Sequence, residues 1–250
     1  MIKPTYLLGI PFLLVLLVGQ GQIIGQDMEG YKKLVCEGYA GGNQMTWESG
    51  LEGLKKLNKA KPSYSLQYEI LLAEYGLIGF LLSKEKKDQA SKQLEKTLSL
   101  ANAFLKKYPD KGEFKAILGG LYGLKIGLSP VKGVYLGPRS LRYLGQATEM
   151  SPTHPLVWVE LANAKYHTPS MFGGDMEKAQ EYFKKGVELF EQQGSSDQNW
   201  LYLHAVVWEG KAHEELGQLG QAKSCYQKAL RKHPNFVWVK EELLPQLQEK

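Results

Sequence analysis

Five histidines, two cysteines and a spread of carboxylates are the side chains in this 250-residue chain that could bind a metal or act on a substrate. A helix-borne zinc site needs His-x-x-x-His or equivalent ligands one turn apart. His204 and His213 are nine residues apart and miss that spacing, and "HEE" at 213–215 is half of a metalloprotease motif without its second histidine. His213 suits the aromatic slot of a first helix. His233 suits the last turn of a second helix, where a cation is favoured. No serine lies in a Gly-x-Ser-x-Gly elbow. "FGGDMEKA" (172–179) offers two glycines and a lysine but lacks the phosphate-loop pattern and a preceding strand. The carboxylates are spread over helix faces as solvated charge. The expectation is a non-enzymatic protein with no cofactor and no metal.

Composition narrows the class further. The chain is 43% hydrophobic and 23% charged, an ordinary globular balance. Its net charge of +5 is dispersed without basic blocks, so no nucleic-acid partner is expected. Lys3, the apolar run "YLLGIPFLLVLLV" (6–18) and the small residues Gly19 and Gly21 have the layout of a secretory signal peptide. The run falls short of the ~20 apolar residues of a bilayer-spanning helix, and Pro11 interrupts it. The expected division is a signal peptide at 1–21, a short segment at 22–26 and one repeat domain at 27–250. That implies export to a periplasmic or extracellular space, with no stable membrane span after cleavage. Two cysteines, Cys36 and Cys225, are too few for a disulfide framework. Placed in the first and last layers of a stack, they are expected as free thiols.

The elements that must position these residues read as helix after helix, with no strand-like alternation. From residue 203, Gly210, Leu216, Gly217, Ala222, Tyr226, Ala229 and Pro234 set small residues where two antiparallel helices touch, an aromatic in the seam and a proline at the end. Weaker echoes follow upstream: Trp158, Leu161 and Ala162 with Ala179, Phe183 and Gly186; Leu118, Gly119 and Tyr122 with Ser140, Leu144, Ala147 and Pro152; then Ala90 and Leu94 in a long helix ending at Pro109. Residues 27–40 and 46–60, closed by Pro62, form a degenerate first pair. "PNFVWVKEEL" (234–243) echoes "PLVWVEL" (155–161) as a lone capping helix.

This pattern resembles the tetratricopeptide repeat (TPR). The resemblance implies an all-α, TPR-like α-α solenoid of four to five helix pairs plus a C-terminal cap. The repeats are elongated: a standard repeat is about 34 residues, whereas Gly119, Ala162 and Gly210 are 43 and 48 apart. The excess is expected in two insertions between first and second helices, 123–138 and 167–175. The second, with Pro169, Gly173, Gly174, Asp175, Lys178 and Ala179, is similar to exported helical-repeat proteins, among them the periplasmic helical component of TRAP-type transporters.

In TPR proteins the residues beside the seam of first helices line a concave face. Carried onto this sequence, these are Val159, Asn163, Tyr166, His204, Val207 and Lys211, a mixed wall suited to an extended peptide or protein tail. Within-pair turns share one edge, so Val134, Tyr135 and Leu136 would neighbour Met171 and Phe172 as an apolar patch or lid. Two functions follow as expectations. One is an extracytoplasmic interaction scaffold for a protein or peptide. The alternative is a small-ligand accessory of a solute transport system, with the insertions closing a pocket.

Overall fold

The computed structural model describes residues 27–249. They form helix α1 (27–40), α2 (Gln44–Ala60), α3 (Tyr64–Ser83), α4 (Lys87–Lys107), α5 (Gly112–Leu128), α6 (Gly133–Met150), α7 (Pro155–His167), α8 (Met176–Gln192), α9 (Trp200–Glu215) and α10 (Leu219–Lys232). A last helical stretch spans 237–248, and there is no strand among the described residues. Consecutive helices pack on one another from α2 to α10, and first helices also touch first helices, as α5 does α7. The result is five antiparallel pairs and a cap. The apolar run at 6–18 lies outside the described residues.

Local chemistry sets the boundaries. Asn43, Ser63, Asp175 and Asn199 each accept a backbone N–H from the first turn of α2, α3, α8 and α9, which satisfies donors the helix itself leaves open. Pro155 starts α7, where a missing N–H costs nothing. Replacing Asp175 by alanine should lower stability by ~1 kcal/mol; urea denaturation measures it, and an unchanged midpoint would count against the cap.

Two expectations are corrected. The stretch 123–138 is not an inserted loop. α5 continues to Leu128 and α6 starts at Gly133, so Ser129 and one 3-10 turn, Pro130–Lys132, are all that joins them. The extra repeat length lies in longer helices, because Leu124, Ile126 and Leu128 still find the core to pack on. The cap also runs past residue 243. It contains a π-turn at Val239–Leu243, and Pro245 follows it: proline has no N–H for the carbonyl four residues back, and the widened turn absorbs that loss. The turn at 167–175 is a true joint. It holds one 3-10 turn, Ser170–Phe172, and Gly173 at φ 94°. A Cβ on Gly174 would stand 1.7 Å from the Thr168 carbonyl oxygen, so that position admits no side chain.

The pairs are held by the small–large seams that the sequence announces: Ala90, Ala147, Ala162, Ala179, Phe183, Ala222, Tyr226 and Ala229 are all fully buried. Helix α3, which carries no repeat signature, is the apolar centre. Leu66, Leu71 and Ile78 are buried in it. It is the one described helix long and apolar enough to cross a membrane, and most of it is buried in the stack as a core helix.

The curl of the stack is tight. Tyr39 of α1 packs against Trp200 of α9 at 5.7 Å between ring centroids and against Phe236, just before the cap, at 5.3 Å. Trp200 also meets Trp47 of α2 at 5.2 Å. The first and last layers therefore touch. Cys36 and Cys225 are both free and buried.

Candidate functional site

Two surfaces decide what the fold can hold: the inner face of first helices, and the edge carrying the within-pair turns. The inner face is filled by its own side chains. A Cβ on Gly76 of α3 would lie 2.6 Å from the Trp200 ring, so glycine is what lets α9 approach α3 there. Trp47 is fully buried and its Nε1 donates to the Ala73 carbonyl at 3.1 Å.

A polar chain runs through this seam. Tyr75 of α3 donates its hydroxyl to Glu160 of α7 at 2.7 Å, and the Asn163 amide reaches the other Glu160 oxygen at 3.5 Å. Asn163 Oδ1 lies 3.4 Å from His204 Nε2, and His204 Nδ1 lies 3.5 Å from the Tyr39 hydroxyl. Four helices thus share one network. Burial pushes the Glu160 carboxyl up to about 7, against the pull of its two hydrogen bonds. Burial, with His167 adding a little, pushes His204 down to about 3, so its imidazole is neutral at physiological pH.

The groove residues expected from the sequence fall into this setting unequally. Val159 and Val207 are fully buried and belong to the core, with no surface for a partner; Val159 packs in the seam of its own pair, where a Cβ on Gly186 of α8 would stand 2.9 Å from its Cγ2. Asn163 and His204 are brought together, but as members of the network above. Tyr166 is half-buried in an aromatic group with His167 and Trp208, at 4.9 and 5.0 Å. Lys211 is half-buried with its Nζ 3.6 Å from a Glu214 oxygen. As a set they are the packing of a closed face rather than the wall of an open one.

The turn edge is the opposite. Val131 (80% exposed), Val134 (87%), Tyr135 (61%), Met171 (81%) and Phe172 (69%) stand in solvent. They occupy the turns of two consecutive pairs, α5–α6 and α7–α8. Leu136, expected with them, is buried and anchors the first turn of α6. Met45, at the α1–α2 turn, is 78% exposed and belongs to the same edge. Sequence reading missed Met45 and Val131, although both are single apolar residues beside turn residues. Soluble proteins leave isolated apolar side chains exposed, whereas contiguous apolar patches mark interaction surfaces.

The fold is an all-α, TPR-like solenoid. Residues 204–235 and 171–193 each match the tetratricopeptide repeat family. The chain is similar in structure to a thermophilic TPR protein of Thermus thermophilus, with TM-score 0.55 and 16% identity over 88% of this chain and 99% of that one. It is also similar to the HusA haemophore of Porphyromonas gingivalis, with TM-score 0.56 and 18% identity over 78% of this chain and 96% of that one. At these identities the likeness is one of fold. No curated protein matches the sequence. The segment that resembles TRAP-type components is accounted for by the joint itself: Gly173 and Gly174 make the turn, Asp175 caps α8 and Ala179 fills the seam.

Proposed function

We propose that this chain is a non-enzymatic interaction module of the extracytoplasmic space that holds a protein partner by its turn edge. The observation that carries the reading is that Val131, Val134, Tyr135, Met171 and Phe172 stand in solvent at the turns of two consecutive pairs. Repeat solenoids are interaction scaffolds by architecture. Here the inner face is occupied by Tyr39, Trp47, Trp200 and His204, which moves binding outward to the edge. Lys132 and Lys165 flank the apolar side chains on these turns, so a partner with an apolar anchor and an acidic rim fits. The Lys3 to Gly21 layout supports export. The same filled inner face leaves the small-ligand accessory reading without a pocket there.

The test is a paired one. Tyr135→Glu with Phe172→Glu should abolish recovery of the partner that the unaltered chain captures from an envelope extract, while thermal unfolding stays within about 0.5 kcal/mol, as for surface changes. Retention of that partner by the double variant would sink the edge. N-terminal mass spectrometry of the chain recovered from its native host tests export; an intact Met1 on the mature protein would sink that part alone.

A further inference from the structure

The last helix pair carries three ligand-type side chains where its counterpart carries packing. Glu209 and His213 stand one turn apart on α9, and Cys225 faces them from α10. A carboxylate oxygen, an imidazole nitrogen and the thiol sulfur from these three lie within 4.8 Å of one another. The register with the α5–α6 pair gives this meaning. Gly119 and Gly210 hold the same place: a Cβ on the first would meet Leu144, and on the second Tyr226. In that register Glu209, His213 and Cys225 correspond to Leu118, Tyr122 and Tyr143. Leu118 is fully buried, and Tyr122 and Tyr143 stack at 5.8 Å with 16° between ring planes. One pair closes its seam with a leucine and two rings; the other puts a carboxylate, an imidazole and a thiol in the same three places.

A fourth residue orients the imidazole. Gln218, in the α9–α10 turn, has its amide oxygen 2.6 Å from His213 Nδ1. An amide oxygen accepts, so Nδ1 carries the proton and Nε2 keeps its lone pair. Metal-bound histidines use such a back-side bond to fix their tautomer. Lys228 on α10 and Lys184 on α8 both act on the Glu209 carboxylate through space, while Lys228 forms its ion pair with Glu191 at 2.7 Å.

We propose that Glu209, His213 and Cys225 bind a single divalent transition-metal ion, zinc being the best match. Thiolate, imidazole and carboxylate are zinc's protein ligands, and a tetrahedral site built from three of them leaves the fourth position to water. The thiol proton goes to solvent as the Cys225–metal bond forms. The ion ties α9 to α10 and so fastens the final pair.

The experiment is a cobalt titration of the purified full chain after treatment with a chelator. One Co²⁺ per chain should bind and give the thiolate-to-cobalt absorption band, and Zn²⁺ should displace it. Zn²⁺ should also slow alkylation of Cys225 in the unaltered protein, read by peptide mass spectrometry. Cys225→Ser and His213→Ala should each remove the band and weaken binding by at least ~10-fold, while Cys36→Ser leaves both unchanged. A chain that gives no band, a band that survives Cys225→Ser, or Cys225 alkylation that Zn²⁺ does not slow each overturns the site. Because the alkylation arm uses the unaltered protein, a variant that fails to fold does not blunt the test.

Discussion

Trp200→Ala should be the most damaging single truncation on the inner face, lowering stability by ~3–5 kcal/mol in chemical denaturation. The residue is 7% exposed and is shared by three elements: it packs on Tyr39 of α1, on Trp47 of α2 and on the bare backbone of Gly76 in α3. Removing the indole takes away the ring that fills the meeting of first and last layers. The neighbours that could collapse into the space are themselves large and fixed, since the Trp47 indole is tied to the Ala73 carbonyl. A loss below ~1 kcal/mol, far under the usual cost of such a truncation, would show that the layers do not bear on one another in solution. Limited proteolysis should place the first new cuts in α1 or α9, because those helices lose their mutual cover.

The second large effect is on pH dependence. The Glu160 carboxyl rises from an ordinary 4.5 to about 7 in the folded protein, through burial. The sign follows from proton counting. Between the unfolded and folded values the native state holds the proton more tightly, so stability falls as pH rises through that window. A shift of this size corresponds to ~3 kcal/mol, lost progressively from about pH 5 to above pH 7. Glu209 is pushed the same way by burial, so the clean measurement is a difference between proteins. Glu160→Gln keeps an oxygen for the Tyr75 hydroxyl and cannot ionise. Its stability relative to the unaltered chain should increase between about pH 5 and 8 by roughly that amount. Parallel pH profiles for the two proteins would refute the assignment.

The all-helical class and the pairing of the last three pairs were legible in the sequence, because small residues at fixed spacing are demanded by close helix contact. Ala222, Tyr226 and Ala229 could hardly serve another purpose at that spacing. Three things were not legible. The length excess looked like loop at 123–138 because Gly and Pro punctuate it, yet Pro138 lies only in the second turn of α6 and the flanking apolar residues carry the helices through. The state of the inner face was hidden because curl accumulates over many contacts. Val159 and Val207 have the register of groove residues, yet both are fully buried, Val159 beside Gly186 of α8. The Glu209, His213 and Cys225 group escaped because it has a single histidine and draws its ligands from two helices. Glu209 and His213 have the one-turn spacing, and the place of Cys225 across the seam follows from the repeat register.

The meeting of α1 with α9 also bears on how the chain reaches its fold. An open solenoid is made of contacts between neighbours in sequence, so assembly can start anywhere and spread. Here the Tyr39–His204 contact closes a loop of 165 residues. Closure over that separation must await both ends, and non-local contacts slow folding. The local helix pairs should therefore form early, and the locking of Tyr39 onto Trp200 and His204 should come last. A chain made from its N-terminus spends most of synthesis with the Tyr39 face of α1 uncovered, waiting for α9, which has not yet been made.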